Sequence, residues 1–238
     1  MVEATLERKR REIRRSEQEA IRHDAERKKF LEDIARIEGE IREREVLIAT
    51  REKSAAFFER WSRDLLVDVV QRDIAKKVAR DMKRSAASFR GWQKRDRKEI
   101  AGLRRREALA FYYIHYYRVR WANWTSDYWL EDLRDVIKPV VRKRESEETL
   151  DSEFIEATEA RMKEFEEAIP PLLDELREIG RVAVEREWKL RWPRQYPTMD
   201  RWISAVYGRM RAINFWIAEI RVELVALQIV QVDIVIYS

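Results

Sequence analysis

The sequence contains no cysteine among its 238 residues. Disulfide bonds, thiolate metal ligands and cysteine nucleophiles are therefore excluded. Residues that make tight turns are also scarce, because the chain has only five glycines and five prolines. Since turns between short strands need glycine, asparagine and proline, this scarcity argues against an all-β fold and favours long helices.

Long apolar runs and catalytic motifs are absent as well. No stretch reaches about 18 uncharged apolar residues, so the sequence predicts no membrane span, and the beginning, MVEATLERKRREIRR, has no apolar signal core. No GxGxxG, GxxxxGK, GxSxG or HExxH motif occurs, and His23 and His115 lie far apart. We therefore predict no catalytic residue, no metal, no cofactor and no enzymatic activity, in a protein that is soluble inside the cell or packaged in a virion.

Charge is distributed unevenly along the chain. Residues 61–120 carry 17 basic and 7 acidic groups, whereas residues 121–190 carry 11 and 19. The basic block can track a nucleic-acid backbone, pair with acidic residues of this chain or of a neighbouring subunit, or remain a solvated surface. The predicted nucleic-acid contacts are eight cations at helical spacing: Arg72, Lys76, Arg80, Lys83, Lys94, Lys98, Arg104 and Arg105.

A heptad pattern runs through the first 50 residues. Its main position holds Leu6, Ile13, Ala20, Arg27, Ile34, Ile41 and Ile48, and the second position includes Phe30 and Ile37. This pattern predicts an N-terminal coiled-coil arm over residues 1–55, whose charged first 29 residues project or lie along a partner. The predicted interface residues in the arm are Ile34, Ile41 and Ile48.

Residues 56–140 form a basic and aromatic-rich helical region. We predict a helix capped by Thr50 or Ser54 that ends at 85–91, followed by further helices that end near Asn123 and Pro139. Nine of the 25 aromatic residues fall between positions 111 and 129. Tyr117, Trp121 and Trp124 share one arc of the helix, which predicts a core or subunit interface. Contact with nucleic acid and a membrane-surface belt are the alternatives.

Residues 150–238 form a C-terminal helical region after a polar linker at 141–152, and Pro170-Pro171 is predicted to break its first helix. An assembly helix is predicted over 199–230, because the spacing between its apolar residues alternates between three and four positions. They are Ile203, Val206, Met210, Ile213, Ile217, Ile220, Leu224 and Leu227. All of these except Val206, together with Tyr117, Trp121 and Trp124, are predicted interface residues. A facing helix is required from this chain or a neighbour, and the tail after it alternates like a short C-terminal strand or a docked segment.

Together these patterns predict an all-α fold, an elongated multi-helix bundle of about six or seven helices. We predict a non-enzymatic structural subunit of a large assembly, in a virion or nucleoprotein particle whose basic helices contact DNA or RNA. The alternative is a coiled-coil adaptor or peripheral subunit of a multi-protein complex without nucleic acid. The partners would be copies of the chain or fixed proteins. The abundance of Arg and Glu is typical of heat-adapted proteins and also of high-GC genomes.

Overall fold

The structure is a computed structural model that describes residues 2–64, 68–145 and 152–237, with side chains except at 2–3, 144–145 and 227–237. Every regular element in these ranges is a helix, which confirms the all-α prediction. The helices are α1 (Val2–Trp61), α2 (Val69–Glu145), α3 (Ser152–Glu185), α4 (Trp188–Arg191) and α5 (Tyr196–Tyr237). In the described residues no helix is long and apolar enough to cross a membrane.

α1 ends at Trp61 and α2 begins at Val69, so the first break comes after the predicted caps Thr50 and Ser54. The hydroxyl of Thr50 donates a hydrogen bond of 2.9 Å to the carbonyl of Val46, so this side chain sits within α1 and caps nothing. Asp68 is the real cap of α2, because its Oδ1 accepts from the backbone N–H groups of Val70, at 2.7 Å, and Gln71, at 3.3 Å. The carboxylate of Asp68 therefore caps a helix of 77 residues.

The breaks predicted within α2 are wrong, because α2 continues through all of them to Glu145. Gly91 and the neighbouring serines only weaken a helix, and the hydroxyl of Ser126 donates back to the carbonyl of Asn123, at 2.9 Å. Pro139 lies inside α2, where buried Leu133 and Val140 hold the helix on both sides. The first part of the predicted linker, 141–145, is helical, and 146–151 lie outside the described residues.

The C-terminal helices also run through predicted breaks. Pro170 and Pro171 lie inside α3, where Ile169 and Leu172 beside them are buried. The predicted C-terminal strand is instead the end of α5, which continues as a helix to Tyr237. Once a helix is formed, each further residue adds a backbone hydrogen bond without a new nucleation cost, so the alternating tail follows the helix that precedes it.

The chain divides into two compact units, which we call unit 1 (Met1–Arg22 with Tyr112–Ser238) and unit 2 (His23–Phe111). This grouping follows contacts between residues. The division into 1–55, 56–140 and 150–238 follows patterns along the sequence and stays a prediction.

Unit 2 is a pair of helical segments from α1 and α2. Its core cluster contains Ile34, Ile37 and Ile41 of α1 with Ile100 and Leu103 of α2. Toward the other end of the pair the buried residues become small, and they are Ala55, Ala75, Ala79 and Ala86. The later part of the predicted heptad, Ile34, Ile37, Ile41 and Ile48, is therefore buried in this unit. Leu6, Ile13 and Ala20 of the same heptad belong to unit 1 and are half-buried.

Unit 1 packs the start of α1 and the second part of α2 with α3, α4 and α5. The first residues of α1 do not project, because the ammonium of Lys9 is buried and lies 2.7 Å from Asp127 and 2.6 Å from Glu131. α3 contacts α5 and supplies the facing helix that the C-terminal heptad requires. The guanidinium of Arg221 on α5 forms two hydrogen bonds of 2.7 Å with the carboxylate of Glu166 on α3.

Candidate nucleic-acid interface

Four of the ion pairs that join α1 and α2 within unit 2 are regularly spaced. Lys83 lies 2.5 Å from Glu59, Arg90 contacts Glu52, Arg97 lies 3.6 Å from Glu45, and Arg104 lies 2.9 Å from Glu38. The cations rise through α2 in steps of seven while the glutamates fall through α1 in steps of seven, so the two segments are antiparallel. We call these eight residues the charge ladder.

The charge ladder uses two of the predicted nucleic-acid contacts, Lys83 and Arg104. The hydrogen bond from Lys83 keeps the pKa of the Glu59 carboxyl below its usual value. Exposed pairs of this kind contribute about 0 to 1 kcal/mol each, so the ladder sets the alignment of the helices more than their stability. Glutamates and cations spaced by seven were the signal in the sequence, and the sequence analysis missed it.

Two other predicted contacts lie near the start of α2. Lys76 lies 3.3 Å from Asp73, in a pair between residues on the same helix, and both side chains are more than half exposed. Arg72 is half-buried and its backbone N–H bonds to the carbonyl of Asp68. The charge of Lys76 is therefore partly balanced by a carboxylate of the chain itself.

The remaining predicted contacts lie on the outward face of α2. Among the described residues no ion pair involves Lys94, Lys98 or Arg105, and all three are exposed. Arg80 and Arg84 share their face. At about 100° per residue these five cations fall within an arc of about 80°, which holds no Asp or Glu between positions 80 and 105. We call Arg80, Arg84, Lys94, Lys98 and Arg105 the cationic row.

Small residues separate the cations of the row. Ala87, Gly91 and Gly102 lie within the same arc, and the space where a side chain of Gly91 or Gly102 would begin is open. Glycine inside a helix costs about 0.5 to 1 kcal/mol relative to alanine, but it lets another molecule approach the helix closely. The row is about 37 Å long at 1.5 Å per residue, close to one turn of duplex DNA at about 34 Å.

The predicted interface residues are mainly buried inside the chain. Ile34 and Ile41 belong to the core cluster of unit 2, and Ile48 is buried in the same unit. On α5, Ile203 is half-buried, and the side chain of Leu227 lies outside the described residues. The others on α5 are all at most 2% exposed, namely Met210, Ile213, Ile217, Ile220 and Leu224. Helices of the same chain cover these heptads without a second copy.

The aromatic stretch packs within unit 1. Tyr112 is fully buried, with its ring 5.1 Å from that of Trp192 and 5.3 Å from that of Trp188. Burial raises the pKa of the Tyr112 hydroxyl above its usual value. The left-handed backbone of Glu187, at φ 53°, turns the chain between α3 and α4 just before Trp188. Tyr117, Trp121 and Trp124 are half-buried, so most of this stretch serves packing.

No group of three or more His, Cys, Asp or Glu residues in the described part of the chain is arranged to hold a metal ion. Comparisons with known proteins find no matching family model, no matching curated protein and no matching solved structure.

Proposed function

We propose that the chain is a non-enzymatic structural subunit of a nucleoprotein particle, such as a virion, and that it binds the phosphate backbone of DNA or RNA through the cationic row. The observation that carries the proposal is the outward face of α2, where five cations lie in one arc without a carboxylate. Such a row attracts phosphates without reading bases, so we expect binding that is independent of sequence and strongly dependent on salt.

The distribution of charge in unit 2 supports this proposal. The cations of α2 in the charge ladder meet glutamates of α1, whereas the cationic row lies on another face of α2. A bound polyanion would neutralise these exposed cations and so remove the repulsion between them. Within the row, Arg84 lies 3.9 Å from Asp81 in an exposed pair. Lys94, Lys98 and Arg105 have no ion pair among the described residues and are the cations most open to a ligand.

The test is fluorescence anisotropy of a labelled 30-base-pair duplex and a 30-nucleotide single strand at about 50 mM salt, followed by a salt titration. If all five cations contact phosphates, log K against log salt has a slope of about −4.5 on duplex DNA. The triple variant Lys94→Glu, Lys98→Glu, Arg105→Glu should lose this binding and make the slope shallower by about 3, one for each lost contact.

The matched control changes three exposed cations of unit 1 in the same way: Lys163→Glu, Arg177→Glu and Lys189→Glu. It alters the net charge of the chain equally and should keep the slope of the original protein. If the control loses as much binding as the cationic-row variant, binding depends only on the net charge of the protein, and the proposal is contradicted. Absence of binding by the original protein at 50 mM salt contradicts it as well.

The second candidate is an adaptor or peripheral subunit of a protein assembly without nucleic acid. The charge ladder favours it, because Lys83 and Arg104 of the predicted nucleic-acid contacts pair with glutamates of α1. A third predicted contact, Lys76, pairs with Asp73. In this case the protein associates with proteins but shows no retention by either nucleic acid.

A further inference from the structure

The side chain of Lys9 lies between two carboxyl groups in unit 1 and is almost completely withdrawn from water. Its Nζ atom is 2.7 Å from Oδ2 of Asp127 and 2.6 Å from Oε1 of Glu131. The side chain of Lys9 is 8% exposed, whereas those of Asp127 and Glu131 are 28% and 29% exposed. One amine therefore contacts two carboxyl groups at a place that little water can reach.

The second oxygen of Glu131 sets this cluster apart from a simple ion pair. Oε2 is buried, and no hydrogen-bond donor contacts it among the described residues. A charged oxygen that is buried without a donor is unfavourable, and a proton on that carboxyl group removes the charge. The surroundings of Glu131 therefore suit a carboxyl group that takes up a proton and releases it again.

Asp127 also faces a guanidinium that is held in place. Nε of Arg209 lies 3.4 Å from Oδ1 of Asp127, while Lys9 lies against Oδ2. Nη1 of Arg209 donates to Oδ1 of Asn123, at 2.9 Å, and to the hydroxyl of Ser126, at 3.2 Å. A cation fixed at this oxygen stabilises the negative charge that develops there when a nucleophile attacks the carboxyl carbon.

We propose that Lys9 and Asp127 form an intramolecular isopeptide bond, with Glu131 as the proton carrier and Arg209 as the oxyanion stabiliser. Nζ of Lys9 is the nucleophile and Cγ of Asp127 is the electrophile. Because a carboxyl C–O bond is about 1.2 Å long, Nζ is at most about 4 Å from Cγ. Groups held at this distance react with an effective concentration of about 10⁵ to 10⁸ M, which favours the amide over two separate ions.

The reaction needs no other reactant. A proton passes from the ammonium of Lys9 through Glu131 to Oδ2 of Asp127, which leaves a neutral amine and a neutral acid. Nζ then attacks Cγ, the C–N bond forms, and the charge on Oδ1 lies beside Arg209. A second proton passes from the nitrogen through Glu131 to Oδ2, the C–Oδ2 bond breaks, and Oδ2 leaves as water. The products are one amide and one water molecule, and Glu131 is again a carboxylate.

Burial decides which lysine can react. Among the lysines whose side chains are described, only Lys9 is buried. Lys83 also contacts a carboxylate, that of Glu59, but these two side chains are 58% and 39% exposed. Water around such a pair stabilises both charges, and an ammonium has no lone pair with which to attack. We therefore expect an isopeptide bond at Lys9 and none at Lys83.

The bond joins the start of α1 to the second part of α2. Residues 10–126, which include all of unit 2, then form a closed covalent loop. Closing a loop of this length restricts the unfolded chain, as a disulfide bond does. The chain has no cysteine, so this cross-link is one that reducing conditions do not break.

The test is an intact-mass measurement of the purified, denatured chain. We expect a mass that is lower by one water molecule than the sequence requires, and a protease digest with a branched peptide that joins Lys9 to Asp127. Lys9→Arg keeps the positive charge but has no primary amine, so it should have the full mass. Glu131→Gln cannot carry the proton, and its cross-linked fraction in freshly made protein should fall at least about ten-fold.

The matched control is Lys83→Arg, which makes the same change at an exposed lysine that contacts a carboxylate. It should keep the cross-link. The full sequence mass in the original protein overturns the proposal, and so does a branched peptide at another lysine. A loss of water that persists in Lys9→Arg comes from cyclisation of an aspartate on its own backbone and also overturns it. Cross-linking that is unchanged in Glu131→Gln overturns the mechanism.

The mass and the branched peptide of the original protein decide the result even where a variant fails to fold. The result is also independent of nucleic-acid binding, because the cross-link lies in unit 1 and the cationic row lies in unit 2. Loss of the isopeptide proposal leaves the nucleic-acid proposal standing, and the reverse holds as well.

Discussion

Units 1 and 2 are both built from long helices, but they differ in the size of the side chains that are buried between the helices within each unit. In unit 1 the most deeply buried side chains are large, and they include Tyr112, Leu133, Met162, Leu176, Met210 and Ile213. In unit 2 the isoleucine cluster gives way to alanines, and the charge ladder runs alongside. Burial of a large apolar side chain contributes about 1.5 to 3 kcal/mol, whereas an exposed ion pair contributes about 0 to 1.

A shallow cavity lies between the helices of unit 2, where the buried side chains are alanines. It has a volume of about 260 Å³ and is lined by Ala55, Ala86 and neighbouring ladder residues. We therefore expect unit 1 to contribute more to the free energy of unfolding than the thin, highly charged pair of helices in unit 2. Three sets of substitutions test that difference.

The largest effect is expected from Ile213→Ala in unit 1. Ile213 is fully buried on α5, so the variant loses apolar contact and leaves a cavity, at a cost of about 2 to 5 kcal/mol in the free energy of unfolding. Urea denaturation followed by circular dichroism measures it. Val184→Ala, at a valine that is 77% exposed, should change stability by less than about 0.5 kcal/mol. A cost below about 1 kcal/mol for Ile213→Ala would contradict the dense packing around Ile213 in unit 1.

A smaller effect is expected from reversing charges in the ladder of unit 2. Glu38→Lys, Glu45→Lys and Glu52→Lys together turn three attractions into repulsions and should cost about 1 to 3 kcal/mol. Urea denaturation suits this measurement because urea, unlike guanidinium, does not screen charge. Adding Arg90→Glu, Arg97→Glu and Arg104→Glu should restore stability. If the six-fold variant is no more stable than the three-fold one, the ladder contacts do not form as described.

The smallest effect concerns pH and Glu59. The hydrogen bond from Lys83 lowers the pKa of Glu59 in the folded chain, so the unfolded chain takes up the proton at higher pH than the folded one. The contribution of the pair is therefore complete above the unfolded pKa, near 4.3, and is lost as the pH falls through the lowered folded value. Glu59→Gln should have a lower thermal midpoint at pH 7 and the same midpoint as the original protein at pH 2.

The control for this measurement is Glu43→Gln, an exposed glutamate on the same helix. It should follow the original protein throughout. A Glu59→Gln midpoint equal to that of the original protein at pH 7 would contradict the role of the ion pair.

The helical spacing of apolar residues predicted more of the fold correctly than the glycines and prolines that were expected to end helices. The heptad of α1 from Ile34 to Ile48 and that of α5 from Val206 to Leu224 are buried where the sequence placed them, because apolar side chains must leave water whichever helix covers them. The breaks at Gly91, Pro139 and Pro170 were wrong, since packing on both sides outweighs the cost of one weak residue. The helix that packs on a heptad is determined by contacts between residues distant in sequence. The apolar residues of α1 alone therefore could not show whether that helix belongs to the same chain or to another.

The candidate site was predictable in part. Arg80, Lys94, Lys98 and Arg105 of the predicted set belong to the cationic row, whereas Lys83 and Arg104 meet glutamates of α1 and Arg84 was missed. Helical spacing shows which cations share a face of α2. It does not show which face meets α1, and that depends on the position of the glutamates opposite.

The equal spacing of the charge ladder has a consequence for alignment. If α2 slid along α1 by seven residues, three of the four glutamate–cation pairs could form again, so the ladder alone would accept an incorrect register. Residues that do not repeat exclude it: the side chain of Gln93 donates to the carbonyl of Ile41, at 3.3 Å, and Arg27 bonds Glu107, at 2.7 Å. Loss of those two contacts should therefore yield a population of misaligned hairpins with nearly unchanged helix content.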